Sequence, residues 1–369
     1  MARRLLYLNG IAIINVILYH ASAWGFIALF WWTDRYREVT VPNFDQMGSA
    51  AYYGLRLIEQ YVIYGIPAFL LISGFFVAVA TGRNRDTVGW DFIFARLKNL
   101  LIPYVLWSII LLGFDWVNGR SFSFGEILRI LLTGQAADAF YFIPMLTQLY
   151  LLSPFFIPLI KKNSWLVLLL VGIFQLLIGL LRYTAILHTE LPILSSIGFL
   201  NRSFLFTGNI LWFIFGIVFG FHQQEIRQTF YRFRWLLLTG GVIFYLLGFF
   251  EWEYLLRVSG EPWLGPRETF VDLFYAACFL SLFIAMDHIK LPFQKAISQI
   301  GAHSYGIYLS HTLALIFVAK LTYHFAPQIL SIQWLFQPLL WIVGLGGPLI
   351  LMAIVDRSPL RRYYALIFG

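Results

Sequence analysis

Asn9, Asn15 and His20 interrupt the first long apolar stretch of the chain, residues 5–32. His20 carries an imidazole whose ordinary pKa of about 6.5 leaves it neutral near pH 7, so it can take a hydroxyl proton as a general base. Asn9 lies eleven residues earlier, which places both side chains on one helix face, about 16 Å apart. This spacing favours chemistry on an extended substrate at membrane depth. A histidine that only bonds a neighbouring helix is the structural alternative.

A second polar cluster lies near the C-terminus, where Ser304, Tyr308 and His311 recur at i, i+4 and i+7 and share one helix face. A second imidazole inside an apolar segment strengthens the prediction of a polar cavity, and interhelical hydrogen bonding is the alternative.

The chain has no Gly-x-x-x-x-Gly-Lys loop, His-Glu-x-x-His motif or Gly-x-Ser-x-Gly elbow. The single cysteine, Cys278, excludes an internal disulfide and indicates packing among apolar neighbours. We therefore expect no metal site.

The composition is that of a polytopic membrane protein. Of 369 residues, 60% are hydrophobic and 12% charged, against roughly 45–50% and 25% in soluble domains. The formal net charge of +8 agrees with basic residues at the cytoplasmic ends of membrane helices. No basic segment has the length or aromatic pattern of a nucleic-acid groove, so we expect a lipid bilayer as partner and no nucleic acid. The expected location is the plasma (inner) membrane.

Apolar runs long enough to cross a bilayer indicate an all-α protein with about ten transmembrane helices. The third, fifth and seventh runs are short for a span. The predicted spans cover approximately residues 5–32, 57–80, 100–117, 139–160, 165–181, 203–221, 235–250, 270–286, 303–324 and 334–355. No linker or soluble block separates them, so residues 1–369 are expected to form a single membrane domain. Ala21-Ser22-Ala23 resembles a cleavage site, but the apolar run continues beyond it, which disfavours a secretory signal.

Lysine and arginine in the connecting segments predict the orientation of the chain. Basic residues concentrate at one set of helix ends, which by the positive-inside rule is cytoplasmic and includes both termini. These residues are Arg3, Arg4, Arg83, Arg85, Arg96, Lys98, Lys161, Lys162, Arg227, Arg232, Arg234, Lys290, Lys295, Arg357, Arg361 and Arg362. Segments 33–56 and 251–269 then lie on the external side, and the second is acidic.

Five motifs occur in the order typical of one family. The sequence resembles the acyltransferase 3 family of membrane O-acyltransferases that act on carbohydrates, and is most similar to its polysaccharide and intercellular-adhesin-type branch. The resemblance rests on residues 8–20, 67–76, 95–108, 141–154 and 304–312. Asn9 and Asn99 stand where family members have arginine. Asparagine cannot neutralise a phosphate or thioester oxygen by charge, so these two departures put family-like activity in question.

The resemblance implies a role for particular side chains. His20 would be the catalytic base, and Arg96 and Lys98, at the cytoplasmic edge, would bind the phosphates of coenzyme A. The substrate-binding set would also include Asn9, Ser73, Gln148, Tyr308 and His311. Positive-inside anchoring is the alternative for the two basic residues, and helix packing is the alternative for Ser73.

Three hypotheses of function follow. The first is a membrane O-acyltransferase that moves an acyl group, in the simplest case acetyl, from acyl-CoA to a carbohydrate hydroxyl, with acyl-CoA as co-substrate and no permanently bound cofactor. The second is export of a polysaccharide or lipid-linked glycan without covalent chemistry. The third is a degenerate family member that acts as a scaffold. Incorporation of acyl groups into the glycan separates the first from the others.

Overall fold

A computed structural model describes residues 2–189, 196–265 and 268–369, and within these ranges there is no β-strand. The fold is all-α, as predicted. The α-helices are α1 Ala2–Phe30, α2 Ala50–Val62, α3 Gly65–Thr81, α4 Trp90–Val117, α5 Phe124–Thr133, α6 Phe142–Lys162, α7 Ser164–Ile186, α8 Ile210–Phe221, α9 Gln223–Arg232, α10 Arg234–Ser259, α11 Phe270–Ala285, α12 Gln294–Ala302, α13 Ser304–Phe325, α14 Gln333–Asp356 and α15 Tyr364–Phe368.

All ten predicted spans have a counterpart among the described helices. Eight segments are long and apolar enough to cross a membrane: α1, the continuous segment of α2 and α3, α4, α6, α7, α10, α13 and α14. The shorter apolar helices α8 and α11 occupy the positions of the sixth and eighth predicted spans. The chain is therefore a multi-pass integral membrane protein, because so much apolar helical surface requires a lipid environment.

The prediction that the third, fifth and seventh spans are short was wrong. Helices α4, α7 and α10 contain 28, 23 and 26 residues. Charged side chains in the added turns of α7 and α10 have partners: Arg182 pairs with Glu268 at 3.1 Å, and Glu253 accepts a hydrogen bond from Tyr52 at 2.6 Å. A prediction from apolar runs places the end of a helix at its first charged residue. In the structure the helix continues past that residue, because the charge has a partner.

Glycine allows α3 and α8 to pack with their backbones in contact. A Cβ at Gly74 would overlap the backbone oxygen of Phe213, and a Cβ at Gly216 would overlap that of Leu71. Small residues at such crossings let the two backbones approach closely. The resulting van der Waals contacts hold helices together in lipid, where the hydrophobic effect does not drive them together. Gly10 has the same role where α1 meets α12.

Helices α1 and α13 run parallel, as two odd-numbered spans must. Near their N-termini, Asn9 donates a hydrogen bond to the Ser304 hydroxyl at 2.6 Å. Further along, the rings of His20 and His311 are in contact, tilted by 46° with centroids 5.3 Å apart. Both ends of the helix face predicted for Asn9 and His20 thus contact α13.

A buried arginine joins α2 to α10. Within α2, Arg56 and Glu59 are separated by 2.6 Å, and their side chains are 5% and 4% exposed. The Arg56 guanidinium also lies 3.7 Å from Glu253 and 4.7 Å from the ring centroid of Trp252. Removing the Arg56 charge would leave the Glu59 carboxylate buried and uncompensated.

Candidate active site

His20 lies on the wall of a cavity of about 600 Å³. The cavity is enclosed by α1, the junction of α2 and α3, α7, α13 and the segments that precede α6, α8 and α11. Its lining is formed by Asn15, Val16, Tyr19, His20, Ala23, Val62, Ile63, Gly65, Ile66, Asp138, Ala139, Tyr141, Arg182, Asn201, Ser203, Gly208, Asn209, Gly265, Glu268 and Tyr308. Since α7 ends here and α6, α8 and α11 begin here, the cavity occupies the half of the protein that the charge pattern predicts to be external.

His311 lies behind His20 and is completely buried. Its Nδ1 is 2.6 Å from the carbonyl oxygen of Tyr308, and because a carbonyl only accepts, Nδ1 carries the proton. Its Nε2 is therefore an acceptor, and it has no hydrogen-bond partner in the part of the chain that the structure describes. A ring fixed in this tautomer supports His20 from the side away from the cavity.

Tyr308 connects the helix of the second histidine to the loop before α6. Its hydroxyl donates to the carbonyl oxygen of Ala139, and its ring lies 5.9 Å from that of His311. Tyr308 and Ala139 both line the cavity. The family motif at residues 304–312 therefore positions a loop as well as an imidazole.

An ion pair between Arg182 and Glu268 also lines the cavity, and the sequence analysis did not predict it. Arg182 donates to the Asn201 side chain at 3.1 Å, to the Glu268 carboxylate at 3.1 Å and to the Gly208 carbonyl at 3.0 Å. Burial raises the pKa of the Glu268 carboxyl, and the Arg182 guanidinium opposes this shift. The pair joins α7 to the segments before α8 and α11. A charged residue near the end of an apolar run was the available signal for Arg182.

Other polar groups of the cavity wall have atoms without a partner among the described residues. Asn15 is 2% exposed, and its Nδ2 donates no hydrogen bond to any of them. Asn209 is 5% exposed, and its Oδ1 accepts no hydrogen bond from any described residue. Asp138 is exposed and lies in the turn before α6. A buried amide oxygen without a donor indicates a position that a ligand or water fills.

Two predicted substrate-binding residues have neighbours away from the cavity. Besides Ser304, the Asn9 amide donates to the Gly301 carbonyl at 2.8 Å. The Gln148 amide donates to the Phe204 carbonyl at 2.7 Å, and its oxygen accepts from the Phe206 amide at 3.2 Å. Gln148 thereby holds the segment that leads into Gly208 and Asn209 and acts on the cavity through the backbone.

The remaining predicted residues are also outside the cavity lining. Ser73 is half-buried on α3, next to the glycine that contacts α8. Arg96 and Lys98 are exposed in the N-terminal part of α4, and the Arg96 guanidinium lies 5.3 Å from the ring centroid of Phe92. The structure thus brings together His20, Tyr308 and His311 and leaves the others at helix contacts or at the opposite end of the bundle. Cys278 packs against Gly240 of α10. Among the described residues there is no group of three or more metal-ligating side chains.

A histidine in a polar cavity within an apolar helical bundle defines the general class as a membrane protein with an intramembrane reaction or binding site. The sequence model of a family described as an acyltransferase domain matches residues 5–356. The chain therefore belongs to the acyltransferase 3 family, as its motif order predicted, and is a membrane-embedded acyltransferase.

Curated relatives cover most of the chain. A protein of Staphylococcus aureus (strain MSSA476) named as a probable poly-beta-1,6-N-acetyl-D-glucosamine export protein is 24% identical over 293 residues, 78% of this chain and 79% of the relative. A Staphylococcus epidermidis protein with the same name is 24% identical over 320 residues, 85% of this chain and 84% of the relative. No solved structure shows a significant match.

Proposed function

We propose that the protein transfers an acyl group from acyl-CoA to a hydroxyl of a polysaccharide, with His20 as the general base. The imidazole takes the proton of the acceptor hydroxyl while its oxygen attacks the thioester carbonyl. The tetrahedral intermediate collapses with cleavage of the carbon–sulfur bond, and the thiolate of CoA takes the proton from the imidazolium. The products are an O-acyl ester and free CoA, and His20 is regenerated.

The observation that carries this proposal is the position of His20 on the wall of a polar cavity of about 600 Å³. That volume lies within the range of roughly 300–1,000 Å³ in which proteins bind small ligands. A ring sealed among aliphatic side chains would have no access to a hydroxyl. The names of the staphylococcal relatives support a polysaccharide as the acceptor.

The donor is proposed to approach from the opposite end of the bundle. Arg96 and Lys98 are exposed there, where cationic groups can bind the phosphates of CoA. The N-terminus of α13 lies close by, because the Tyr305 hydroxyl donates to the Leu100 carbonyl of α4. Helix α13 continues from this point to His311, and the pantetheine arm is proposed to follow this helix towards His20. Acetyl is the simplest acyl group for this path.

The test is acyl transfer by purified protein in nanodiscs. Acetyl-CoA and an N-acetylglucosamine oligomer are supplied, and both the free CoA thiol and the mass of the oligomer are measured. Wild-type protein should release CoA in step with an acetyl gain on the oligomer. His20→Ala should abolish both, and His324→Ala, an exposed histidine on α13, should change neither. Undiminished transfer by His20→Ala would overturn the assignment of the base.

Glycan export is the second candidate, and the names of the relatives favour it. An exporter would move a labelled glycan into proteoliposomes without acyl-CoA, and His20→Ala would leave this transport intact. Acylation of the glycan that depends on His20 identifies the enzyme. Absence of both transport and acylation would identify a scaffold.

A further inference from the structure

The ionisable groups of the cavity wall carry an unbalanced negative charge. Apart from His20, the lining contains Asp138, Arg182 and Glu268. Arg182 and Glu268 form an ion pair at 3.1 Å, so their charges cancel. Asp138 has no cationic partner among the described residues. The cavity therefore has one uncompensated carboxylate.

The turn that carries Asp138 is fixed to the same elements as His20. Ala139, the next residue, accepts the hydrogen bond from the Tyr308 hydroxyl. Phe140 is completely buried, with its ring centroid 5.7 Å from that of Tyr104 and 6.1 Å from that of Tyr308. Because the residues directly after Asp138 are anchored on α4 and α13, the backbone of Asp138 is held at the cavity wall, and its exposed carboxylate is accessible to a ligand there.

Two buried amides of the wall each have one atom without a described partner: Oδ1 of Asn209, an acceptor, and Nδ2 of Asn15, a donor. A neutral sugar hydroxyl can satisfy either amide, because it both donates and accepts. The nitrogens of Arg182 are committed to Asn201, Glu268 and Gly208. A ligand with its own carboxylate or phosphate would meet Asp138 without a free cation to compensate it.

We infer that Asp138 makes the cavity select its acceptor by charge, so that it prefers an amino sugar to a neutral sugar and a neutral sugar to an anionic one. This inference rests on the proposed acceptor role of the cavity. Two unit charges about 10 Å apart interact, at an effective dielectric constant of about 20, strongly enough to change binding about tenfold. One positive or negative charge on the sugar near Asp138 should therefore raise or lower its affinity about tenfold at low salt.

The experiment compares three oligosaccharides of equal length, made of glucosamine, N-acetylglucosamine or glucuronate, at a pH where the amine is protonated. Binding to protein in nanodiscs is measured by calorimetry in the His20→Ala background, which prevents turnover, and kcat/KM for acyl transfer is measured with His20 intact. Affinity should fall about tenfold at each step of the series. Asp138→Asn should flatten the series, and Asp138→Lys should reverse it. Asp34→Asn, an exposed aspartate that is outside the cavity lining, should leave it unchanged.

Several outcomes would decide the inference. Equal affinity for the three oligomers, or an unchanged series in Asp138→Asn, would overturn it. A salt titration of the wild-type protein provides a measurement that needs no variant, because added salt should screen the charge and compress the series. Binding in the His20→Ala background is independent of acyl transfer. If affinity follows the charge of the oligomer but no acyl transfer occurs, Asp138 keeps its role and the proposed reaction is rejected. If acyl transfer occurs but affinity does not follow charge, the reaction stands and the role of Asp138 is rejected.

Discussion

Replacement of His20 by glutamine should separate chemistry from folding. His20 is half-buried, and among the described residues it has no hydrogen-bond partner; its ring contacts are with Tyr19 and His311, each at 5.3 Å between centroids. Glutamine is similar in size and polar, but it cannot hold a proton during the reaction. We therefore expect a change in stability below about 1 kcal/mol, as for substitutions that leave no cavity and no orphaned partner.

The loss of activity should be much larger. A positioned general base contributes about 10²–10⁴-fold to the rate, which corresponds to about 3–5 kcal/mol of transition-state stabilisation. The assay is kcat/KM for CoA release with an N-acetylglucosamine oligomer, combined with the melting temperature from tryptophan fluorescence in nanodiscs. His20→Gln should lose at least about a hundredfold in kcat/KM while the melting temperature shifts by no more than a few degrees.

His324→Gln is the matched control, because this histidine is exposed at the far end of α13. It should keep full activity. The reasoning would be refuted if His20→Gln retained activity within tenfold of the wild type. A melting temperature reduced as much as the activity would assign His20 a structural role instead.

Three further substitutions test the packing around the site. Gly74→Val places a Cβ against the backbone of α8. It should lower the stability of the fold by about 1–3 kcal/mol and reduce the monodisperse fraction in size-exclusion chromatography. Gly113→Val is the control, because its Cβ enters open space beside α4, and it should leave the monodisperse fraction unchanged. Arg56→Met leaves Glu59 buried without its counter-charge, and should lower stability by about 3–5 kcal/mol in thermal unfolding. Gln148→Leu removes the bonds that hold the backbone of residues 204 and 206; a cost of about 1–3 kcal/mol should appear mainly as a higher KM for the acceptor, measured in the same transfer assay.

Much of the fold follows from the sequence, because a membrane span is a local property. A run of apolar residues long enough to cross the hydrocarbon core identifies itself without knowledge of its neighbours. The same is true of a helix face, so His20 and Asn9 were placed on a common side by helical periodicity alone. The lengths of α7 and α10 were predicted too short for a non-local reason, since the charges of Arg182 and Glu253 in their added turns have partners far away in the chain.

The sequence by itself determined an all-α membrane protein, its family and the two histidines at its centre. The tertiary structure decided which polar groups share the cavity with His20. Arg182 and Glu268 are 86 residues apart, and Asn9, which shares a helix face with His20, instead bonds Gly301 and Ser304. The physical reason is that a cavity is the space that remains when several helices and their connecting segments pack together, so its lining depends on every crossing at once and on no single segment.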